Sequence, residues 1–317
     1  MEKSYLLAKR LISKRYKSSD SLYQIMLVAF TTLFYKYKDY SAIVEKVFND
    51  TDVFISKESV KEILERENIN IVSFSEEETV IDNGINKTYG VSSLGKSYNI
   101  REDDFEKVDG RPFLVVSSNC SKTLLLNTII HEFNHLIKSS INSVKEEKFF
   151  YTIRCGVSLY QCRYDKKKDI LYEYNYFDIL DEVINTLQTT EMVKSILMLD
   201  GIVDDDTQKY IDSLNKDSME EDFGYDISVK AIKPLWNNST FRTLIEDNIV
   251  EGNIKYIIEE FDRILGSGSF ITFTDLLDDL DEEDNGKRNS RKINKIRNKI
   301  KNIIIRYNNE TQNVYKK

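Results

Sequence analysis

The chain has 317 residues, of which 41% are hydrophobic and 31% charged, and its formal net charge is −8. This balance is typical of a folded chain with its own core and excludes a disordered one. The negative charge gives no overall basic field, so no nucleic-acid partner is expected.

The sparse cysteines and the hydropathy pattern indicate a cytoplasmic location without a membrane anchor. The three cysteines, Cys120, Cys155 and Cys162, have no repeated spacing and predict reduced thiols, although a Cys155–Cys162 bridge stays open for an exported chain. The most apolar run, residues 22–35, is too short to span a bilayer. No secretion leader is recognisable at the start, which leaves only non-classical export as an alternative.

The first region, residues 1–67, is predicted to be helical. Apolar residues recur at helical spacing over residues 4–16 and 21–37, and residues 57–67 have the pattern of a charged amphipathic helix.

The period then changes to that of strands. Residues 69–75 are rich in β-branched side chains, Asn83-Gly84 is a hairpin signal, and residues 111–118 predict a further strand. A helix follows to about residue 140, with Ser121 as its N-cap.

Two strands joined by a charged turn are predicted next, as a β-hairpin. In the second strand Ile170, Tyr172, Tyr174 and Tyr176 share one face by two-residue alternation. Asp178 is the expected cap of a helix that stops at Asp200-Gly201, and the chain after residue 201 is again predicted to be mostly helical.

Both histidines of the chain fall in the sequence HEFNH on the predicted apolar helix before residue 140. His131 and His135 are four residues apart, so a helix places them on one face, where both can bind one Zn²⁺ ion. Glu132 lies about 100° around the helix and can reach a water molecule at the metal without binding the metal itself. The pattern predicts a metal site with a general base beside it.

This stretch resembles the zincin metallopeptidases, with His131 and His135 as ligands and Glu132 as general base. The close match covers residues 111–140 and a looser one extends to about residue 200. The chain has no third histidine, which excludes the metzincin branch and leaves the gluzincin branch, in which a glutamate on a later helix is the third ligand. The resemblance implies an α+β, zincin-like fold that is mostly helical, with a small mixed sheet and a β-hairpin between the two ligand helices.

Glu182 is the preferred third ligand. Its helical neighbours Asn185, Thr186 and Thr189 form a polar stripe on an otherwise apolar helix, as expected for a face turned towards a site. Glu191 and Glu173 are the alternatives. Glu191 lies on the opposite side of the same helix, and Glu173 lies on the preceding strand.

The long gap before Glu182 resembles the lethal-factor and Pro-Pro endopeptidase families more than the thermolysin type. Those families carry a catalytic tyrosine seven residues before the glutamate, and here that position is Asn175, flanked by Tyr174 and Tyr176. These tyrosines are the first candidates to stabilise an oxyanion, and Arg154 is a weaker candidate. The alternative interpretation is that the tyrosines only cover one face of a sheet. The stretch from residue 180 to 189 is also similar to uncharacterised HExxH proteins of low-GC Gram-positive bacteria.

The sequence thus predicts a zinc-dependent peptidase that acts on a peptide or protein. The expected regions are a helical part at residues 1–67, a catalytic core at 68–200 and a helical part at 201–317. A non-catalytic metal-binding protein and a helical interaction protein remain the alternatives.

The C-terminal region carries an acidic run followed by a basic helix. Four isoleucines recur at helical spacing among lysines and arginines: Ile293, Ile296, Ile300 and Ile303. A helix that packs through this stripe is preferred over a membrane-surface or nucleic-acid-binding helix.

Overall fold

A computed structural model gives the structure of this chain, and two compact units can be described. The first comprises residues 1–137 and 188–221, and the second comprises residues 138–187 and 222–317. The division passes through two continuous helices, so each of those helices contributes to both units. The structure describes residues 1–69, 90–93, 96–101, 104–144, 150–165, 167–168, 170–215, 226–285 and 289–314.

The first unit combines helices with a small mixed sheet. Its helices are α1 (Glu2–Ile12), α2 (Tyr23–Lys36), α3 (Ser41–Asp50), α4 (Val60–Arg66), α5 (Lys122–Lys138, to residue 137), the end of α6 (Asp178–Ser195, from residue 188) and α7 (Asp205–Asp212). Its strands are β1 (Asp52–Ser56), β2 (Gly90–Ser93), β3 (Lys96–Arg101), β4 (Asp104–Asp109) and β5 (Phe113–Ser117).

The mixed sheet has the order β1-β5-β2, with β1 parallel and β2 antiparallel to the central β5. Every residue of β5 is buried, which explains why its sequence is a continuous apolar run rather than an alternating one. Helix α4 covers the sheet through Ile63 and Leu64, which pack with Phe113 and Val115. Strands β3 and β4 form a separate antiparallel pair.

The second unit contains an antiparallel sheet and a helical bundle. The sheet has the order β6-β7-β8-β9, formed by β6 (Ser139–Val144), β7 (Phe150–Cys155), β8 (Ser158–Asp165) and β9 (Ile170–Tyr176). The start of α6 follows, and then α8 (Asp226–Trp236), α9 (Ser239–Ile249), α10 (Ile254–Leu265), α11 (Ser269–Asn285) and α12 (Ser290–Val314).

Aromatic contacts fill the core of this bundle. The ring of Phe261 in α10 lies 5.0 Å from that of Tyr307 in α12 and 5.4 Å from that of Phe270 in α11. Trp236 is 2% exposed, as expected for a core anchor. The isoleucine stripe of α12 is also buried at Ile293, Ile296 and Ile300, which confirms that this basic helix packs through its apolar face.

The architecture agrees with the α+β prediction at the level of mostly helical structure with small sheets. One difference is that four strands, not a hairpin alone, lie between α5 and α6. The predicted strand at residues 69–75 and the turn at Asn83-Gly84 lie outside the described residues, apart from Ile69. Within the described part of the chain, no helix has the length and apolarity needed to cross a membrane.

Candidate metal centre

The two histidines lie one turn apart on a buried face of α5. His131 is 7% exposed and His135 is 8% exposed, and their Nε2 atoms are 3.1 Å apart. Two nitrogens that bind one zinc ion tetrahedrally, at 2.0–2.1 Å each, are about 3.3 Å apart. The spacing of the imidazole nitrogens therefore fits a single divalent cation.

Contacts on another face of α5 fix the rotation of this helix. The ring of Phe133 meets that of Phe30 in α2 edge-on, with centroids 4.7 Å apart. The buried carboxamide of Asn134 accepts a hydrogen bond from the hydroxyl of Tyr37 and donates one of 3.3 Å to Oε1 of Gln188. Because the neighbours of both histidines are held in this way, the imidazoles are directed to one side of the helix.

Glu132 lies beside the histidines but is held by a different element. Its Oε2 atom accepts a hydrogen bond of 2.8 Å from the hydroxyl of Ser92 in β2. A Cβ atom at Gly90 would lie 2.4 Å from Cγ2 of Thr128 and 3.3 Å from Oε1 of Glu132. The glycine thus allows β2 to approach α5 closely and leaves space beside the second carboxylate oxygen.

Two groups of buried or half-buried side chains could hold a metal ion. The first consists of His131, His135 and Glu182, and the second of His135, Cys155 and Asp181. In each group, one ligand atom from every residue lies within 4.8 Å of the others. The sequence-predicted ligands are thus brought together, and they include two nitrogens and one carboxylate, a donor set that zinc accepts.

Asp181 is a weaker candidate ligand than Glu182, because its carboxylate already binds the backbone of a turn. Its Oδ1 atom accepts a hydrogen bond of 2.8 Å from the backbone N–H of Val157, in the turn between β7 and β8. Gly156 has a positive φ of 57°, and a Cβ atom there would lie 1.8 Å from the same oxygen. The carboxylate of Asp181 is therefore committed to this turn, which favours Glu182 as the carboxylate ligand.

The predicted polar stripe of α6 is buried. Asn185, Thr186 and Thr189 are all at most 2% exposed. Asn185 accepts a hydrogen bond of 2.7 Å from Nζ of Lys138, a lysine with no exposed surface at the end of α5. A buried ammonium needs such partners because its desolvation is costly.

Asp178 was predicted to cap α6 from the position before the helix. In the structure it is the first residue of the helix. Its carboxylate accepts hydrogen bonds from the side chains of Ser158 and Asn175. Burial raises the pKa of Asp178, although these two hydrogen bonds oppose the effect.

The remaining candidates differ in accessibility. Glu191 is half-buried in α6, whereas the side chain of Glu173 lies outside the described residues. Tyr174 and Tyr176 are each 41% exposed, and their rings stack with centroids 6.2 Å apart. This stacking confirms that the two tyrosines share one face of β9, while their role at an oxyanion stays a prediction.

Arg154 is engaged with the backbone. Its guanidinium donates hydrogen bonds to the carbonyl oxygens of Gly156, Ile249 and Val250, and its Nε atom donates to the hydroxyl of Ser140. Burial lowers its pKa from the usual arginine value. Through these contacts Arg154 links β6 and β7 to the end of α9 within the second unit, which argues against it as an oxyanion donor.

Comparison with protein-family models, curated proteins and solved structures gives no match. The zincin resemblance therefore depends on the HEFNH sequence and on the geometry around it.

The sequence did not indicate the contribution of Ser92, Gly90, Asp181 or Cys155. Ser92 and Gly90 reach Glu132 only because β2 pairs with β5, which is a non-local contact. The sequence does contain a pattern that could have indicated the turn beside Asp181, because Gly156 lies between two strand-like runs, as in a tight turn.

Proposed function

We propose that this chain is a zinc-dependent peptidase with a zincin-like, gluzincin-type site. The observation that carries the proposal is the 3.1 Å separation of the His131 and His135 Nε2 atoms, in a group that also includes Glu182. Two neutral histidines and a carboxylate leave a fourth position open, as zinc enzymes require.

The position of each residue determines the role that we assign to it. His131, His135 and Glu182 would hold the metal, which supplies Lewis acidity to the carbonyl and to water when bound. Glu132 is not among the ligand group, and Ser92 holds only one of its carboxylate oxygens. Its other oxygen would accept the proton of the attacking water and pass it to the leaving amine.

A peptide is the substrate class that the neighbourhood of Glu132 supports best. Strand β2, which carries Ser92, is at the end of the sheet order β1-β5-β2 in the described part of the chain. An extended peptide can add to such a sheet edge through main-chain hydrogen bonds. That pairing would bring a peptide bond alongside Glu132.

The test combines metal analysis with a hydrolysis assay on the full chain. We expect about one zinc per wild-type chain, a large loss of zinc in His135→Ala and Glu182→Ala, and wild-type zinc in Glu132→Gln. Hydrolysis of a mixed-sequence peptide library, read by mass spectrometry, should be present in the wild type and lost in these three variants. Glu191→Ala, a change to another half-buried glutamate of α6, is the matched control and should keep both zinc and activity.

The outcomes separate the alternatives. Equal zinc in the wild type and His135→Ala would refute the metal centre. Zinc retained without hydrolysis in the wild type would favour a non-catalytic metal-binding protein. Full activity in Glu132→Gln would refute the assignment of the general base.

A further inference from the structure

A groove in the second unit lies between α8 and α12, on residues that the proposed peptidase site does not use. It has a volume of about 430 Å³, which is within the range of small-molecule sites. Its lining includes Lys230 and Pro234 from α8 and Arg297 and Lys301 from α12.

Two adjacent isoleucines of α12 line the groove and differ in exposure. Ile304 is 3% exposed and belongs to the packed stripe, while its neighbour Ile305 is 47% exposed, and both line the groove. On the facing helix, Pro234 presents its ring to the same space. The groove therefore has an apolar wall beside its polar groups.

The described side chains that line the groove carry charge of one sign. They include Lys230, Arg297 and Lys301, and no aspartate or glutamate is among these described lining residues. Arg297 and Lys301 are four residues apart in α12, a spacing at which like charges repel each other. Neither forms an ion pair with another described residue, whereas Lys292 of the same helix pairs with Glu283. The groove is thus a local positive site in a chain of net charge −8.

Carboxamides complete the polar lining. Asn294, Asn298 and Asn308 also line the groove. Asn308 is held in place, because its Oδ1 atom accepts a hydrogen bond of 2.7 Å from Nδ2 of Asn238. Carboxamides can donate to phosphoryl oxygens and can also bond to the hydroxyl groups of an organic body.

We propose that this groove binds a small organic phosphate. The planar guanidinium of Arg297 can donate two parallel hydrogen bonds to a phosphate, and the ammonium group of Lys301 can bind one of its remaining oxygens. The apolar wall of Pro234, Ile304 and Ile305 suits the organic part of the ligand. A concave site of this size fits a monomeric phosphate ester better than a nucleic-acid strand or a membrane surface.

The experiment measures binding of adenosine 5′-monophosphate to the full chain by isothermal titration calorimetry, with adenosine as the uncharged probe. We expect saturable binding of the phosphate ester and no binding of adenosine. Arg297→Gln should weaken the affinity at least about tenfold. Lys299→Gln is the matched control, because it removes one positive charge from the same helix outside the groove, and it should leave the affinity unchanged.

Circular dichroism of Arg297→Gln would show that its helices are retained. Inorganic phosphate, a 20-nucleotide single-stranded RNA and vesicles with one fifth phosphatidylserine are the competing probes. Absence of binding by adenosine 5′-monophosphate, or an equal loss of affinity in Arg297→Gln and Lys299→Gln, would overturn the proposal. Binding of RNA or vesicles alone would overturn it as well, in favour of a polyanionic surface.

Discussion

The hydroxyl of Ser92 donates a hydrogen bond of 2.8 Å to Oε2 of Glu132 and so links β2 to the residue that follows His131. This bond fixes one carboxylate oxygen of Glu132, Oε2, and thereby sets the direction of the other, Oε1. If Glu132 is the general base, the hydroxyl of Ser92 sets its orientation without binding the metal.

Replacement of Ser92 by alanine is therefore expected to lower kcat by about tenfold, since a hydrogen bond to a charged group contributes about 1.5–3 kcal/mol and part of that serves orientation. The zinc content should stay at the wild-type value, and KM should change little. Steady-state kinetics on a cleaved peptide and metal analysis provide the two measurements.

Ser92→Thr is the control, because it keeps the hydroxyl, and it should retain most of kcat. An unchanged kcat in Ser92→Ala would show that Glu132 does not depend on this contact. Loss of zinc in that variant would instead indicate that β2 supports the metal centre as a whole.

Local sequence patterns predicted the elements that carry the site. The apolar spacing defined α5, and Ser121 accepts a hydrogen bond of 3.1 Å from the N–H of Leu124, as expected for an N-cap. In α12, the predicted Ile293, Ile296 and Ile300 are buried, whereas Ile303 is half-buried. These features depend on neighbours within about one helical turn, which periodicity and capping rules describe well.

The parts that sequence did not predict depend on distant contacts. Strand β6 consists largely of serine and asparagine, which have low strand propensity, and it forms by pairing with β7, where Ser140 lies opposite Arg154. The hydrogen bonds that Arg154 donates to the hydroxyl of Ser140 and to the carbonyl oxygens of Ile249 and Val250 join segments that are not neighbours in the chain. No local pattern records such pairings.

The turn between β7 and β8 gives a prediction about the second unit. Gly156 has a positive φ of 57°, and a Cβ atom there would lie 1.8 Å from Oδ1 of Asp181. Gly156→Ala must therefore accept backbone strain and also displace the carboxylate that bonds to the N–H of Val157. We expect a loss of about 2–4 kcal/mol in the free energy of unfolding, measured by urea denaturation.

Gly201→Ala is the matched control for this change. Gly201 also has a positive φ, of 72°, but nothing lies within 4 Å of a Cβ atom placed there. Its substitution should cost only the strain of the left-handed conformation, about 1 kcal/mol. Equal losses in the two variants would show that the contact with Asp181 adds nothing to stability.

The acidic face of α11 predicts a pH-dependent stability. Burial raises the pKa of Asp278 to about 6, and the nearby carboxylates of Asp178 and Asp275 add to the effect. Since an unfolded aspartate titrates near 3.9, the folded chain binds this proton more tightly. The contribution of Asp278 to stability is therefore greatest below about pH 4 and is lost as the pH rises through about 6.

Asp278→Asn removes the charge that opposes folding above this range. We expect the variant to be more stable than the wild type by about 0.5–1 kcal/mol at pH 7.5, a value reduced by solvent screening, and to be equally stable at pH 4. Urea denaturation at both pH values measures the difference. Asp247→Asn, in α9 of the same unit, is the control and should not show this gain between pH 4 and 7.5. A stabilisation by Asp278→Asn that is the same at both pH values would contradict the raised pKa, because a protonated carboxyl at pH 4 has no charge to remove.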